Sequence, residues 1–260
     1  LDNVIDANKY PIKEIEEMSK RIRRIGLGVM GFADTLVLLG IPYDSQEALE
    51  FANKVSKFLT KKAREESIRL GEERGSFPEF KDSIWYKKYK LKSLRNAGLT
   101  CIAPTGTISI LAGCNPSIEP FFSIVTRRNL EESLGATLID INSLFLNYSL
   151  KENFYSDDLI KKVSTRWSIQ EIEGIPKHVK DLFKTAHDIP PQWHVKMQSV
   201  FQANIDSSVS KTVNLPNSAT PHDIEEIYFL AWKLGCKGIT VFRDGCLDRQ
   251  VFSVCSECEI

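Results

Sequence analysis

The spacing of apolar residues predicts helices over much of the first third of the chain. Between residues 12 and 39, apolar positions recur at helical spacing and predict one helix or a broken pair of helices. Residues 44–74 predict a longer helix, because Asp44 can cap it and Glu47 follows three positions later, as in a capping box. Gly75 marks its end. The predicted buried face of this helix consists of Ala48, Ala52, Val55 and Leu59.

The middle of the chain predicts a mixture of connections and short helices. Residues 80–97 are charged and aromatic and predict a surface connection, whereas the prolines within 113–127 predict irregular backbone. Residues 131–188 predict several helices with a break at Pro176. The pair Pro190-Pro191 predicts the start of another helix, which reaches about residue 205.

The last third predicts a strand–helix–strand unit. Residues 209–215 and 238–242 are short apolar runs that predict strands. Between them, Thr220 can cap a helix that has Pro221 at its first position and Asp223 in its first turn. Because such a short unit joins parallel strands in nearly all cases, the pattern indicates an α/β fold with a parallel sheet.

A loop rich in hydroxyl groups follows another predicted strand, residues 99–103. Pro104 sets the exit from the strand, and Gly106 tolerates backbone angles that other residues resist. Successive N–H groups at the start of a helix can bind an anion, and no carboxylate interrupts this loop. The loop fits either a phosphate-binding site or an ordinary strand-to-helix turn. Its members are Pro104, Thr105, Gly106, Thr107, Ile108 and Ser109.

Composition and charge narrow the classes of protein to which the chain can belong. Lys plus Arg and Asp plus Glu number 34 each among 260 residues, so no charge bias indicates a nucleic-acid or membrane-surface partner. No apolar stretch approaches the length of a membrane span, and no targeting peptide is recognisable. The six cysteines are irregularly spaced, which favours a reducing, cytoplasmic location over a secreted disulfide scaffold.

The segment Gly26-Leu27-Gly28-Val29-Met30-Gly31 matches the dinucleotide-binding pattern G-x-G-x-x-G. That pattern requires a preceding strand, whereas residues 19–24 are polar, basic and helical in pattern. We therefore expect these glycines to allow close approach of another element instead of binding a dinucleotide.

Several stretches together resemble the large, catalytic subunit of ribonucleotide reductases, most closely the adenosylcobalamin-dependent class II type. They occur in the family's order and cover the chain to about residue 246. They include Ser117-Ile118-Glu119-Pro120 and Thr185-Ala186-His187-Asp188-Ile189, and the full set is residues 23–34, 40–45, 103–109, 117–120, 185–189, 209–216 and 231–240.

The resemblance implies a fold and a domain division. The family fold is a ten-stranded α/β barrel with parallel strands and flanking helices, and this chain resembles its second half. Residues 1–246 would then be the C-terminal half of the barrel domain, and 247–260 the start of a C-terminal cysteine-containing tail. In the family, the loop matching residues 104–109 binds the phosphate of a ribonucleoside di- or triphosphate substrate.

The resemblance also implies what this chain lacks. The family's radical cysteine lies in an Asn-x-Cys-x-Glu loop that is absent here, so no catalytic residue is expected in this fragment. Cys101 and Cys114 match no catalytic cysteine and are interpreted as structural. Class I enzymes relay their radical through paired tyrosines, and residues 239–245 contain none. Adenosylcobalamin is therefore the expected cofactor of the complete enzyme.

The cysteine pair near the end of the chain has two interpretations. Cys255 and Cys258 have the spacing of a redox dithiol or of half a zinc site. Family members carry a similar C-terminal pair that re-reduces the active-site disulfide, which implies a thioredoxin-like reductant as a partner. The four histidines show no metal-ligand spacing, and His194 is interpreted as structural.

Two functions remain open from the sequence. In the first, the chain is part of a ribonucleotide reductase and supplies the phosphate loop, while the fragment alone is inactive. The other partner is then the missing N-terminal half, with a homodimer as one assembly that the resemblance allows. In the alternative, the chain is a non-catalytic assembly module that completes a barrel with a separately encoded half.

Overall fold

The computed structural model describes residues 1–129 and 137–246 and consists of helices around a small number of short strands. The helices are α1 (Asp2–Ala7), α2 (Lys13–Ile22), α3 (Phe32–Leu38), α4 (Gln46–Arg74), α5 (Ile84–Lys87), α6 (Gly106–Ala112), α7 (Ser143–Lys151), α8 (Asp157–Ser164), α9 (Lys177–Leu182), α10 (Pro191–Gln202) and α11 (Pro221–Lys233). A 3-10 helix spans Phe80–Asp82. The strands are β1 (Val125–Asn129), β2 (Thr137–Ile141), β3 (Thr212–Leu215) and β4 (Thr240–Arg243).

The predicted strand–helix–strand unit is confirmed as β3, α11 and β4. The two strands are parallel, with Val213 opposite Val241. Thr220 caps α11 and forms a complete capping box with Asp223, because each side chain accepts a hydrogen bond from the other residue's backbone N–H. The unit could be predicted without the tertiary structure because the capping residues and the apolar runs are close together in the sequence.

Isolated backbone bridges extend this parallel arrangement across the molecule. Leu27 pairs with Thr100, and Ile102 pairs with Val209 just before β3. The hydrogen bonds are well formed, with Leu27 N donating to Leu99 O at 2.8 Å and Ser210 N donating to Ile102 O at 2.8 Å. Residues 25–28, 99–102, 209–215 and 240–243 therefore run side by side in the same direction. The loop at residues 104–109 follows the carboxyl end of one of these segments.

The interval 12–39 contains two helices, as the broken-pair prediction allows. The connection between α2 and α3 is extended at Leu27, because Arg23 ends α2 in the left-handed conformation at φ 47°. Residues 19–22 are helical, as expected, and the extended segment at Leu27 lies within the glycine pattern and not before it. The expectation of close approach is confirmed, because a Cβ at Gly28 would lie 2.1 Å from Cys101 O.

The long helix α4 is confirmed, with a different cap. Ser45, and not Asp44, accepts the hydrogen bond from Ala48 N at 3.1 Å. Asp44 instead forms an ion pair with Lys184 at 2.7 Å. Ala48 and Ala52 are fully buried as predicted, whereas Val55 and Leu59 are only partly buried. The buried stripe continues through small residues: Ser56, Thr60, Ser67 and Gly71.

The middle of the chain differs from prediction in two places. Residues 80–97 are not simply a surface connection, since Phe80 and Leu94 are buried with Phe77 in a separate small core. Part of the interval 113–188 forms β1 and β2, which pair antiparallel with Val125 opposite Ile141. The remainder contains α7, α8 and α9 as predicted, and Pro176 lies at the start of α9. Across the described residues, every helix is too short or too polar to cross a membrane.

Candidate functional site

The loop at residues 104–109 forms the start of α6. Thr105 occupies the N-cap position in the left-handed conformation at φ 53°. The first helical hydrogen bond runs from Ser109 N to Thr105 O at 3.0 Å. The N–H groups of Gly106, Thr107 and Ile108 precede that bond and have no acceptor within the helix. Because these three residues are exposed, their N–H groups lie where a ligand can approach.

The three hydroxyl groups of the loop have different surroundings. Thr105 Oγ1 accepts a hydrogen bond from Ser117 N at 2.8 Å. Ser109 is buried, and its hydroxyl donates to Gly106 O at 3.1 Å. Thr107 is exposed. The exposed donors of the loop are therefore backbone N–H groups together with the Thr107 hydroxyl.

The segment 114–120, here called the strap, packs beside the loop and is held at several points. Asn115 N donates to Asp34 Oδ2 at 2.5 Å, and the Asn115 side chain donates to Glu119 O at 2.6 Å. Burial raises the pKa of Asp34, and the Asn115 N–H opposes that rise. Ser117 has a left-handed backbone at φ 51°, so the strap adopts a turn that needs support from its neighbours.

Tyr43 provides a further contact that supports the strap. Its hydroxyl donates to Ile118 O at 2.7 Å, and the ring is buried. Burial, reinforced by the charge of Glu119, raises the pKa of Tyr43 well above its usual value. The hydroxyl therefore keeps its proton and remains a donor at every physiological pH.

A cluster of three titratable residues, with Lys211 and His194 buried and Glu119 partly buried, holds the end of the strap. The Lys211 ammonium forms an ion pair with Glu119 Oε2 and donates to His194 Nδ1 at 2.8 Å and to Thr212 O at 2.6 Å. Glu119 Oε1 accepts from Thr212 N at 2.8 Å. The Lys211 side chain has no exposed surface, and all three of its ammonium protons have acceptors.

The hydrogen bonds of this cluster define the state of His194. Because an ammonium only donates, Nδ1 is the acceptor and Nε2 carries the proton, which it donates to Ala186 O at 3.1 Å. Burial, and then the charge of Lys211, lowers the pKa of His194 well below its usual value. The structural interpretation of His194 is consistent with this neutral, enclosed ring. Sequence reasoning missed Lys211 and Glu119 as partners, although both lie in stretches that carry the family resemblance.

His187 is a second histidine with limited access to solvent. Its ring packs against Phe122 and Trp167, with centroids 5.7 and 5.2 Å away. Its Nε2 is buried and has no hydrogen-bond partner among the described residues. Burial lowers the pKa of His187, while the charges of Asp244 and Asp188 oppose that change.

The two histidines predict a loss of stability in mild acid. Both have a pKa that folding lowers, so below about pH 6.5 the unfolded chain binds protons that the folded chain does not. The stabilisation is complete above that pH and is lost as the pH falls. Each histidine contributes a slope of up to about 1.4 kcal/mol per pH unit.

Urea unfolding at several values between pH 7.5 and 5 measures this slope. We expect His194→Gln to flatten the dependence, whereas the exposed His222→Gln control leaves it as in the wild type. An equal slope in wild type and His194→Gln would show that His194 does not carry the effect.

The surroundings of Cys101 and Cys114 are consistent with structural roles. Burial raises the pKa of Cys114, reinforced by the charge of Asp34, so its thiol stays protonated and weakly nucleophilic. Cys101 is half-buried and its thiol donates to Ser208 O at 3.4 Å. Cys255 and Cys258 lie outside the described residues. Over residues 1–129 and 137–246, no group of three His, Cys, Asp or Glu side chains could hold a metal ion.

Comparison with known proteins decides the family. The family model for the ribonucleotide reductase barrel domain matches residues 1–93 and 87–242, which together cover most of the chain. The chain belongs to the ribonucleotide reductase family. The predicted fold is thereby confirmed as part of the reductase α/β barrel.

Individual reductases agree with this assignment. The chain is 46% identical over 253 residues to the vitamin B12-dependent ribonucleoside-diphosphate reductase of Thermoplasma acidophilum, covering 97% of this chain and 32% of that protein. It is 44% identical to the Mycobacterium tuberculosis (strain CDC 1551) enzyme of the same name, covering 97% of this chain and 36% of the relative. The chain thus spans about a third of the length of these curated relatives.

A solved structure supports the fold. The Actinobacillus ureae class Id ribonucleotide reductase alpha subunit superposes with a TM-score of 0.79 at 24% identity. The match covers 94% of this chain and 45% of that subunit. The parallel segments and their flanking helices therefore have the arrangement found in a reductase alpha subunit.

Proposed function

We propose that this chain is the C-terminal half-barrel of an adenosylcobalamin-dependent ribonucleotide reductase and that residues 104–109 bind the substrate's phosphate. The observation that carries the proposal is the exposed first turn of α6 at the carboxyl end of a parallel strand segment. Ligands of parallel α/β sheets bind at this end of the strands. The names of the vitamin B12-dependent relatives favour a ribonucleoside diphosphate as the substrate.

The loop suits a phosphate for two physical reasons. The N–H groups of Gly106, Thr107 and Ile108 point out of the first turn, where the helix dipole also favours negative charge. No acidic side chain belongs to the loop or to the first turn of α6. The loop would hold and orient the substrate, while its chemistry takes place at the ribose.

The overall reaction replaces the ribose 2′-hydroxyl with hydrogen. The hydroxyl leaves as water, and a pair of cysteine thiols supplies two electrons and two protons as it becomes a disulfide. Because the 260 residues contain no Asn-x-Cys-x-Glu, we assign the radical cysteine and this thiol pair to the rest of the reductase. Cys255 and Cys258 are proposed to re-reduce the disulfide and to receive electrons from a thioredoxin-like protein.

Adenosylcobalamin is proposed as the cofactor because the relatives are named vitamin B12-dependent and β4 carries no tyrosine for radical relay. The cofactor supplies the initial radical when it is bound. No side chain of the described residues is assigned to the corrin.

The alternative of an assembly module also has an observation in its favour. The side chains exposed on α6 include Ile108, Ile110 and Leu111, and the exposed fraction of Leu111 is 85%. Apolar side chains clustered in this way favour burial against another part of a barrel. Purification of the native protein distinguishes the two functions. A single long polypeptide with ribonucleotide reductase activity supports the enzyme, and a stoichiometric partner chain supports the module.

Substitution of Thr107 tests the phosphate loop in the complete reductase. Thr107→Pro removes one first-turn N–H at a position where a helix tolerates proline, so we expect KM for a ribonucleoside diphosphate to rise about tenfold. Steady-state kinetics with the purified enzyme measures the change.

Thr107→Ala is the matched control, because it keeps the backbone N–H and removes only the side chain. Its KM should rise less than that of Thr107→Pro. If Thr107→Pro leaves KM unchanged, the loop does not bind the phosphate.

A further inference from the structure

We propose that Lys211 is a positioning residue for the phosphate loop and acts through Glu119 and the strap. The inference rests on the proposed function of that loop. Lys211 is fully buried and is separated from Glu119 by more than ninety positions in the sequence, yet the two form an ion pair. The pair joins the segment that leads into β3 to the strap.

Glu119 joins the two segments through both of its carboxylate oxygens. One oxygen accepts from the Lys211 ammonium and the other accepts from Thr212 N at 2.8 Å. This arrangement leaves the carboxylate little freedom to rotate. The backbone of residue 119 is also fixed, because its carbonyl accepts from the Asn115 side chain at 2.6 Å. The end of the strap is therefore held in one orientation.

The strap in turn is hydrogen-bonded to the loop at two points. Cys114 N donates to Ser109 O at 3.1 Å, and the second bond reaches the N-cap of α6. Ser117 N donates to Thr105 Oγ1 at 2.8 Å, and Ser117 has an unfavourable left-handed backbone. Thr105 also has left-handed backbone angles and is the N-cap of α6. Two strained residues thus stabilise each other through a single hydrogen bond. Release of the Glu119 carboxylate would loosen this end of the strap, although Asp34 and Tyr43 still hold its other residues, and would shift Ser117 and the first-turn N–H groups that follow Thr105.

A charge at position 211 is needed for this role. Burial of an ammonium is costly, and apolar side chains replace buried ion pairs in many proteins without loss of stability. An apolar residue of the same length would fill the space but could not orient Glu119, His194 and Thr212 O together. Stability alone does not require a cation at this position. We therefore attribute the presence of Lys211 to the directional hydrogen bonds by which it orients its three acceptors.

The test is Lys211→Met in the complete reductase, with Arg95→Met as the matched control. Arg95 is also a largely buried cation, which pairs with Asp2 at 3.0 Å, but it contacts neither the strap nor the loop. We expect Lys211→Met to raise KM for a ribonucleoside diphosphate about tenfold with kcat changed less than about twofold, as loss of uniform substrate binding predicts. Arg95→Met should lower the melting temperature without changing KM.

A double-mutant cycle tests the proposed route. Thr105→Val keeps the shape of the side chain and removes the acceptor for Ser117 N. If Lys211 acts through the strap, the KM of the Lys211→Met/Thr105→Val double variant should be close to the higher of the two single-variant KM values. Multiplicative effects on KM would show that Lys211 does not act through Thr105 and would overturn the inference.

Glu119→Gln keeps the proposal testable if Lys211→Met does not fold. Glutamine retains an oxygen for Thr212 N and loses the charge that holds Lys211, so KM should rise by at least about threefold. An unchanged KM in this variant would overturn the inference.

Failure of the inference and failure of the proposed function give different results. An active wild-type enzyme whose KM responds to Thr107→Pro but not to Lys211→Met contradicts only the role of Lys211. A wild-type enzyme that reduces no ribonucleotide contradicts the proposed function.

Discussion

Gly28→Ala is expected to destabilise the protein by about 3 kcal/mol or more, at the upper end of the cost of overpacking. A Cβ at this position would lie 2.1 Å from Cys101 O and 3.2 Å from Cys101 C, which are backbone atoms that cannot move aside. Relief of the clash requires separation of residues 25–28 from residues 99–102. Cys101 N donates to Leu27 O at 3.0 Å, and that hydrogen bond would be among those lost.

Hydrogen–deuterium exchange of peptides covering residues 25–28 and 99–102 measures this separation directly. Gly238→Ala is the control, because no atom lies within 4 Å of the Cβ that it would add. We expect faster exchange and a lower melting temperature in Gly28→Ala only. Equal behaviour of the two variants would mean that the close approach does not stabilise the sheet.

Phe183→Ala is expected to lower the free energy of unfolding by about 3–5 kcal/mol, the usual cost of removing a buried phenylalanine. Phe183 has no exposed surface and lies among three aromatic rings. Its ring is stacked on Phe121 at 5.8 Å and meets Phe145 and Tyr148 edge-on at 5.4 and 5.5 Å. Alanine would leave a cavity between α7 and the residues that follow the strap.

Urea unfolding followed by tryptophan fluorescence measures the loss. Phe183→Leu refills most of the cavity, so its loss should be clearly smaller than that of Phe183→Ala. Similar losses for both variants would show that the aromatic contacts, and not the filled volume, carry the stabilisation.

Local signals were the reliable part of the sequence. The capping box of Thr220 and Asp223 lies in the first turn of α11, the helix that it starts. The loop at residues 104–109 was also located from local features, and α6 begins within it. The cap of α4 could not be predicted from local features alone. Asp44 and Ser45 are both good capping residues, and Ser45 is the cap because Asp44 forms an ion pair with the distant Lys184.

By itself the sequence determined the reductase family, the parallel strand–helix–strand unit and the position of the loop, because each depends on residue types at short, regular spacing. Only the tertiary structure revealed the approach of Gly28 to Cys101, the turn of the strap and the ion pair of Lys211 with Glu119. These contacts join residues that are far apart in the chain, and no periodicity or motif encodes which distant side chain a buried charge will meet. The burial that makes Lys211 depend on Glu119 exists only after the strands have come together.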